Sequence, residues 1–468
     1  MKSISGTGVA EATRNTISIS SVNVVLSILE CTLFSAIQFG WSSLVFVYKS
    51  IGLYRNLCPR NGTMEISQTC TEQEKRLNMF FSVSLTSFVF LGIIIGLLHK
   101  KLGTTRARVI FICIYPCGLV LLSYTNSDIP WMFFPGLTLV GLSGQALIVT
   151  DMHVVFHIKK GQAFYVTLLN GAVDSSSIAM LIVKILYEKG VEMKYTFWGI
   201  AVVQVVVTLT NTFLHWKQPQ ILPERTEANQ TEREDNDDDA RKNNFKTNET
   251  EPSFRQSVLT VGFGLYSIWI FFLCLRWVSY IGLANRRFSV VLKTTDKVSE
   301  FTDVLSYFMF GGLPISIITG GFLEFIKKRF EGSSDVYKRR VYPLIIALSI
   351  CCAMSIVIST LGIVQSANTF YAEFAVVPFF RSLLYSTNMY YVVTMFHSKW
   401  ISTIMVLSYA TTGFSTIAQY FIFEWVVEYN AFQEMNYMMV GTSVVSFALP
   451  CMLLLNKGRG VTNDISQD

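Results

Sequence analysis

Charged and hydrogen-bonding residues recur at helical spacing inside otherwise apolar stretches of this chain. Glu30, Gln38 and Trp41 follow one face of the first stretch, and Asn170 and Asp174 lie one turn apart in a later one. In a membrane, a charge at the centre of an apolar helix costs at least about 2.5 kcal/mol, so such residues face a polar interior. The pattern is typical of a site that binds a polar solute inside a helix bundle.

Two stretches in the second half of the chain carry the same kind of pattern. Arg276 and Tyr280 are one turn apart, and Arg381, Tyr385 and Asn388 follow one helical face. A fixed cation binds an anionic or carbonyl oxygen, a carboxamide both donates and accepts hydrogen bonds, and an aromatic ring stacks on a flat solute. These residues are therefore candidates for substrate binding.

The same charges have a structural interpretation, which the sequence leaves open. Glu30 with Arg381, or Asp174 with Arg276, can form ion pairs that only hold helices together. For Asp174 and Arg276 the two interpretations are balanced, because serines beside Asp174 favour tight helix packing. For Arg381 the functional interpretation is favoured, because aromatic residues flank this cation within its stretch.

The apolar stretches themselves must position these residues. Hydrophobic residues make up 51% of the chain and charged residues 15%, with a mean hydropathy of +0.42, whereas ordinary soluble proteins carry about 25% charged residues. An apolar helix of about 20 residues spans a bilayer. The sequence therefore predicts an all-α membrane protein with twelve spans, near residues 21–47, 78–99, 108–125, 130–153, 162–187, 195–215, 257–284, 302–325, 341–364, 368–396, 401–425 and 434–456.

A polar segment divides the spans into two sets of six. Residues 216–255 contain the run EREDNDDDARKNN and lack apolar periodicity, which predicts a disordered linker. Six-helix bundles are expected over 21–215 and 256–456, with terminal segments at 1–20 and 457–468. Most Lys and Arg residues outside the spans fall on the side of the N-terminus, so both termini and the linker are predicted to be cytoplasmic. The net charge of +6 thus reflects topology rather than nucleic-acid binding.

The first outer loop carries signals of an extracellular environment. Cys58 and Cys70 flank the sequon that begins at Asn61, which predicts a disulfide and a glycan. Lys184, near the outer end of the fifth span, is expected to extend to the membrane interface.

No enzyme, cofactor or metal motif accompanies these features. The chain lacks a phosphate-binding glycine loop, and His153 and His157 lack the glutamate of an HExxH pattern, so they are interpreted as interface histidines. The sequence predicts a transporter without a cofactor, whose partners are a small-molecule substrate and the lipid bilayer. Neither nucleic acid nor an obligate protein partner is implied.

Two cytoplasmic turns repeat one pattern. GLLHKKLGTTRAR begins at Gly96 and GGFLEFIKKRF begins at Gly320. Both resemble the loop signature of the major facilitator superfamily, which implies a pseudo-symmetric 6+6 bundle that moves around a central site. The signature's acidic position is Lys100 in the first half and Glu324 in the second. The resemblance implies a gating role for Lys100, Lys101 and Glu324.

Longer runs resemble solute carrier family 43. They are LECTLFSAIQFGWSSLVFVYK from Leu29, NGAVDSSSIAMLIVKILYEKG from Asn170 and FFRSLLYSTN from Phe379. The resemblance implies sodium-independent facilitated transport at the plasma membrane. Some members carry large neutral amino acids and another carries purine nucleobases, and the run from Asn170 is most similar to the nucleobase carrier. The chain departs from the family at Arg276.

Two substrates are therefore expected, in this order. A purine nucleobase such as adenine would bond through its ring edge to Glu30, Gln38 and Asn388 and stack on Trp41 or Tyr385. A neutral amino acid such as leucine would use one of the two span arginines for its carboxylate and one of the two span acids for its ammonium. A third hypothesis is a scaffold without transport activity that binds partners through the acidic linker.

Overall fold

A computed structural model describes residues 22–58, 70–156, 162–216 and 254–455. Within these ranges the chain is almost entirely helical and contains no strand, which confirms the predicted all-α class. The helices of the first half are α1 Val22–Ser35, α2 Ile37–Ser50, α3 Thr71–Leu102, α4 Thr104–Tyr124, α5 Phe133–Phe156, α6 Gln162–Ser175, α7 Ile178–Glu188 and α8 Met193–Trp216. Those of the second half are α9 Phe254–Val258, α10 Val261–Leu292, α11 Thr295–Phe310, α12 Gly312–Glu331, α13 Val336–Ile363, α14 Ala367–Met395, α15 Ser398–Tyr429, α16 Phe432–Ser446 and α17 Ala448–Leu455.

Many of these helices are long and apolar enough to cross a membrane. Among the described residues eight segments meet that criterion, or ten when the bent pairs α1/α2 and α11/α12 are each counted as one span. Each of the twelve predicted stretches coincides with a helix or a broken helix. Helices α14 and α15 are long but are not among the ten. The count of twelve spans remains a prediction.

Several of the spans are broken, and neighbouring serines join three of the breaks. The bend between α1 and α2 is 45°, and the freed N–H of Ala36 donates to Ser176 Oγ at 3.1 Å. Ser176 itself lies at the break between α6 and α7. The bend between α11 and α12 is 46°, where Ser175 Oγ donates to the Phe310 carbonyl at 2.8 Å and accepts from Leu313 N–H at 3.0 Å. Backbone groups released by each bend are thus satisfied by its neighbour.

The two halves pack against each other through two main helix pairs. Helix α3 packs on α15, and α6 packs on α12, while α2 also contacts α10 and α11. Along the α3–α15 contact, Ser82 donates to Gln419 Oε1 at 2.7 Å, and Gln419 donates to Asn78 Oδ1 at 3.1 Å. Thr86 and Thr416 share a further hydrogen bond at 2.8 Å. A polar seam therefore joins the halves within the bundle.

One end of the bundle is marked by a disulfide. Cys58 and Cys70 are bonded, as predicted, across 12 residues. We call this side of the molecule the disulfide end. The sequon at Asn61 lies outside the described residues, as do most of the predicted linker and both terminal segments.

The three residues with an expected gating role lie away from the disulfide end. Lys100 and Lys101 are near the end of α3, and Lys101 is exposed. Glu324 on α12 is also exposed. Among the described residues neither Lys101 nor Glu324 forms an ion pair, so their gating role remains a prediction.

Candidate functional site

An ion pair inside the bundle connects the two halves. Arg381 Nη2 on α14 lies 2.8 Å from Asp174 Oδ1 on α6, next to the serines that join the helix breaks. Arg381 is only 1% exposed. Its Nε and Nη1 atoms have no hydrogen-bond partner among the described residues. The pair therefore leaves donor capacity unused at a buried cation.

The guanidinium of Arg381 is held between two aromatic rings. It lies 4.1 Å from the ring centre of Phe39 and 4.6 Å from that of Trp277. Phe39 belongs to the break in the first span, and Trp277 to α10, so each half supplies one ring. Trp277 is buried, and its indole N–H has no described partner. We call Phe39, Asp174, Trp277 and Arg381 the guanidinium slot.

The slot combines features of a binding site for a flat polar solute. Both rings stack on planar groups, because their π faces attract a cation or another π system. Three unpartnered donor nitrogens, Nε and Nη1 of Arg381 and the indole nitrogen of Trp277, point to missing acceptors, since buried donors are normally satisfied. Broken helices around a polar centre are typical of transporter substrate sites.

Some predicted site residues lie near the slot, and others do not. Tyr385 is half-buried one turn beyond Arg381, with Arg381 and Asp174 as its charged neighbours. Asn388 instead accepts hydrogen bonds from Tyr266 at 2.6 Å and Ser408 at 3.1 Å, within the second half. The carbonyl of Asn388 is thus already occupied.

Gln38, Trp41 and Asn170 occupy other surroundings. Gln38 is fully buried against Gly141 of α5, and its amide has no described hydrogen-bond partner. Trp41 stacks on Phe81 at 4.6 Å within the first half, so it contributes to packing. Asn170 lies half-buried one turn before Asp174.

Glu30 pairs with Arg108 and not with Arg381, which corrects one of the two ion pairs considered. Arg108 Nη2 lies 2.5 Å from Glu30, and Arg108 Nη1 lies 2.7 Å from Asp151. Asn211 also donates to Glu30. These side chains are completely buried inside the first half, because a guanidinium between two carboxylates needs no solvent to be satisfied. Glu30 therefore belongs to a network separate from the slot.

Arg276 does not pair with Asp174, which corrects the second ion pair considered. Its Nη1 donates to Asn436 Oδ1 at 3.2 Å, on the α16 side of α10. Tyr280 lies beneath the same guanidinium at 5.8 Å. Arg276 and Tyr280 thus lie in the interior of the second half. Trp277 faces the slot instead, because consecutive residues of a helix point in different directions.

Four residues of these clusters were missed at the level of sequence. Phe39 and Trp277 are two of many aromatics in the spans, so residue type alone could not distinguish them. Arg108 was interpreted as the end of a basic cytoplasmic turn, and Asp151 lay near a span boundary. A usable signal for Asp151 was an acidic residue within an otherwise uncharged stretch.

A second group of charges joins the halves at the disulfide end. Glu74 on α3 lies 2.7 Å from Lys49 on α2 and 3.1 Å from Arg286 on α10. Lys49 also donates to Asn285 at 3.1 Å. Because Glu74 contacts cations of both halves, this cluster closes the disulfide end.

Lys184 belongs to the same closure, so the expectation that it extends to the interface is wrong. Its ammonium is fully buried and lies 2.5 Å from Asp303 and 2.6 Å from Ser299 Oγ on α11. The ammonium also lies 4.8 Å from the ring centre of Phe46. Asp303 of α11 and the ring of Phe46 of α2 stabilise the ammonium inside the bundle, so the side chain does not need to reach the interface.

Comparison with known proteins supports the resemblance. The chain is 30% identical over 183 residues to equilibrative nucleobase transporter 1 of Bos taurus, a match that covers 38% of this chain and 37% of that protein. It is similar to a transporter of solute carrier family 43. Large neutral amino acids transporter small subunit 3 matches at 26% identity over 203 residues in Mus musculus and at 24% over 220 residues in Homo sapiens, covering 41% and 44% of this chain.

The matches cover only part of each relative. The matched part spans little more than a third of the relatives, 35% and 38% of the two amino acid transporters. No protein-family model matches the chain. The apolar helices and the similarity to transporters together identify a multi-pass membrane protein.

Proposed function

We propose that this protein is a facilitative, sodium-independent transporter of purine nucleobases such as adenine. The observation that carries the proposal is the guanidinium slot, in which Arg381 and Asp174 join the halves between two aromatic rings. Similarity to a nucleobase transporter gives independent support. Transport would proceed by alternating access, with the two halves moving around the slot.

The chemistry of the slot matches a purine. The rings of Phe39 and Trp277 already enclose one flat group, the guanidinium, and a purine is flat and polarisable. Unpartnered N–H groups of Arg381 and Trp277 can donate to ring nitrogens or an exocyclic oxygen. Asp174 can accept a ring N–H. Arg381 would turn aside, or stack on the base, as the substrate enters.

Closure of the disulfide end supports alternating access. Contacts of Glu74 and Lys184 join the halves on that side. By the distribution of basic residues, we assign the disulfide end to the outside of the plasma membrane and both termini to the cytoplasm. The structure would then correspond to a state closed to the outside, and the predicted glycan at Asn61 would be on the outer side of the membrane.

The alternative substrate is a large neutral amino acid. Two of the relatives carry such a name. The Arg381 guanidinium could bind the carboxylate and Asp174 the ammonium, after their mutual contact opens. The alternative requires both charges, whereas a neutral base requires donors and acceptors but no fixed pair of opposite charges.

Uptake in cells that express the chain tests the proposal. We expect saturable adenine uptake in sodium-free buffer and no uptake of leucine. Arg381→Gln should abolish leucine uptake if that were the substrate, but should reduce adenine uptake only in part, because a carboxamide still donates. Lys297→Gln, which removes an exposed cation, is the matched control. Leucine uptake without adenine uptake would overturn the nucleobase proposal.

A further inference from the structure

A small cavity inside the second half has both polar and apolar lining residues. Its polar lining comes from Arg276, Ser279, Tyr280 and Arg287 of α10 and Asn436 of α16, and its apolar lining from Leu283, Ala284, Phe288, Phe432 and Met435. The spacing from Arg276 to Arg287 places these α10 residues along one helical face. The cavity lies on the α16 side of α10, and none of its lining residues belongs to the guanidinium slot.

The charges around this cavity do not balance. Arg287 donates to both carboxylate oxygens of Glu373, at 2.6 and 2.9 Å, so this acid is fully engaged. Arg276 contacts only the neutral carboxamide of Asn436. Among the described residues, no carboxylate lies within ion-pair distance of Arg276, which is 2% exposed. One positive charge is therefore buried without a counter-charge.

Hydrogen-bond donors at the cavity also lack acceptors. The Nε atom of Arg276 and the hydroxyl of Ser279 have no partner among the described residues, and Ser279 is completely buried. An unsatisfied buried donor costs about 1–3 kcal/mol, and more when it is charged. A bound anion would accept from both groups and neutralise the cation. A water molecule would satisfy only the donors.

We propose that this cavity binds one small monovalent anion, with chloride as its physiological ligand. A single excess positive charge matches a monovalent ion, whereas a divalent sulfate or phosphate would leave a buried negative charge. Arg276 and Ser279 are the anchoring donors. The bound anion stabilises the packing of α10 against α16, because it removes the charge that these helices otherwise enclose.

Chloride binding to the purified full chain in detergent tests the proposal. We expect saturable binding of radiolabelled chloride, displaced by bromide but not by gluconate, and a Tm that rises with chloride concentration until the site is filled. Arg276→Gln should lower chloride affinity by roughly tenfold to a hundredfold, since it removes a charge-assisted hydrogen bond. Ser279→Ala, which keeps the charge, should lower it less.

Lys297→Gln is the matched control, because it removes an exposed cation outside the cavity and should leave chloride affinity unchanged. A folded wild-type protein with no chloride binding, and with the same Tm in gluconate and chloride, would overturn the proposal whatever the variants do. Displacement of chloride by leucine would also overturn it, by assigning the cavity to a substrate carboxylate. Binding is independent of uptake, so failure of the nucleobase assay leaves this result unaffected.

Discussion

The Asp174–Arg381 pair gives the sharpest prediction about the slot. At a charge separation of about 4 Å and an effective dielectric constant of about 20, the attraction is about 4 kcal/mol. Arg381 is 1% exposed, so Asp174→Asn leaves a buried cation without its counter-charge. Removal of one partner from a buried pair typically costs about 3–5 kcal/mol. We expect Asp174→Asn and Arg381→Gln each to destabilise the protein by about that amount.

A double-mutant cycle separates stability from transport. The double variant Asp174→Asn with Arg381→Gln should recover most of the lost stability, because neither unpaired charge remains. It should still transport adenine poorly, because the slot has lost its carboxylate and its guanidinium. Thermal unfolding in detergent and adenine uptake in the same membranes measure the two effects.

A more exposed ion pair that also joins the halves provides the control. Lys75 and Glu428 are in contact at the disulfide end, and their side chains are 20% and 49% exposed. Removal of either should change stability by at most about 1 kcal/mol. Single Asp174 and Arg381 variants that behave like the Lys75 variant would refute the energetic argument. Wild-type adenine uptake by the double variant would show that the slot pair only holds helices together.

Three further predictions concern other contacts. Trp277→Phe keeps an aromatic ring at this position but removes the indole N–H, so the KM for adenine should rise up to about tenfold. An unchanged KM would argue against a hydrogen bond from this indole to the substrate. Glu74→Gln removes the carboxylate shared with Arg286, so amides at the disulfide end should exchange hydrogen faster; unaltered exchange would contradict its role in closure. Arg108→Gln leaves two buried carboxylates without a cation and should lower the Tm far more than Asp151→Asn does. Equal decreases in Tm would contradict the interpretation that Glu30 and Asp151 share Arg108.

The positions of the helices followed from the sequence because the signal is local. An apolar run of about 20 residues is sufficient to predict a helix in a membrane, and each predicted stretch is helical. The breaks were not predicted. They depend on contacts between distant residues, such as the bond from Ala36 to Ser176, and no local residue pattern marks the end of α1.

The partners of the buried charges were predictable only in part. Helical spacing identified Glu30, Asp174, Arg276 and Arg381 as inward-facing residues, and all four are buried. The spacing of polar residues within one helix does not show which neighbouring helix those residues face. Glu30 therefore pairs with Arg108, a residue interpreted as part of a loop.

The central claim is that the two halves carry a purine across a membrane through the guanidinium slot. Counterflow in proteoliposomes of the purified chain tests it most directly: vesicles loaded with unlabelled adenine are diluted into sodium-free buffer that contains a trace of labelled adenine. The account predicts a transient accumulation of label that is strongly reduced in the Asp174→Asn, Arg381→Gln double variant. No accumulation by folded wild-type protein, or equal accumulation by the double variant, would contradict it.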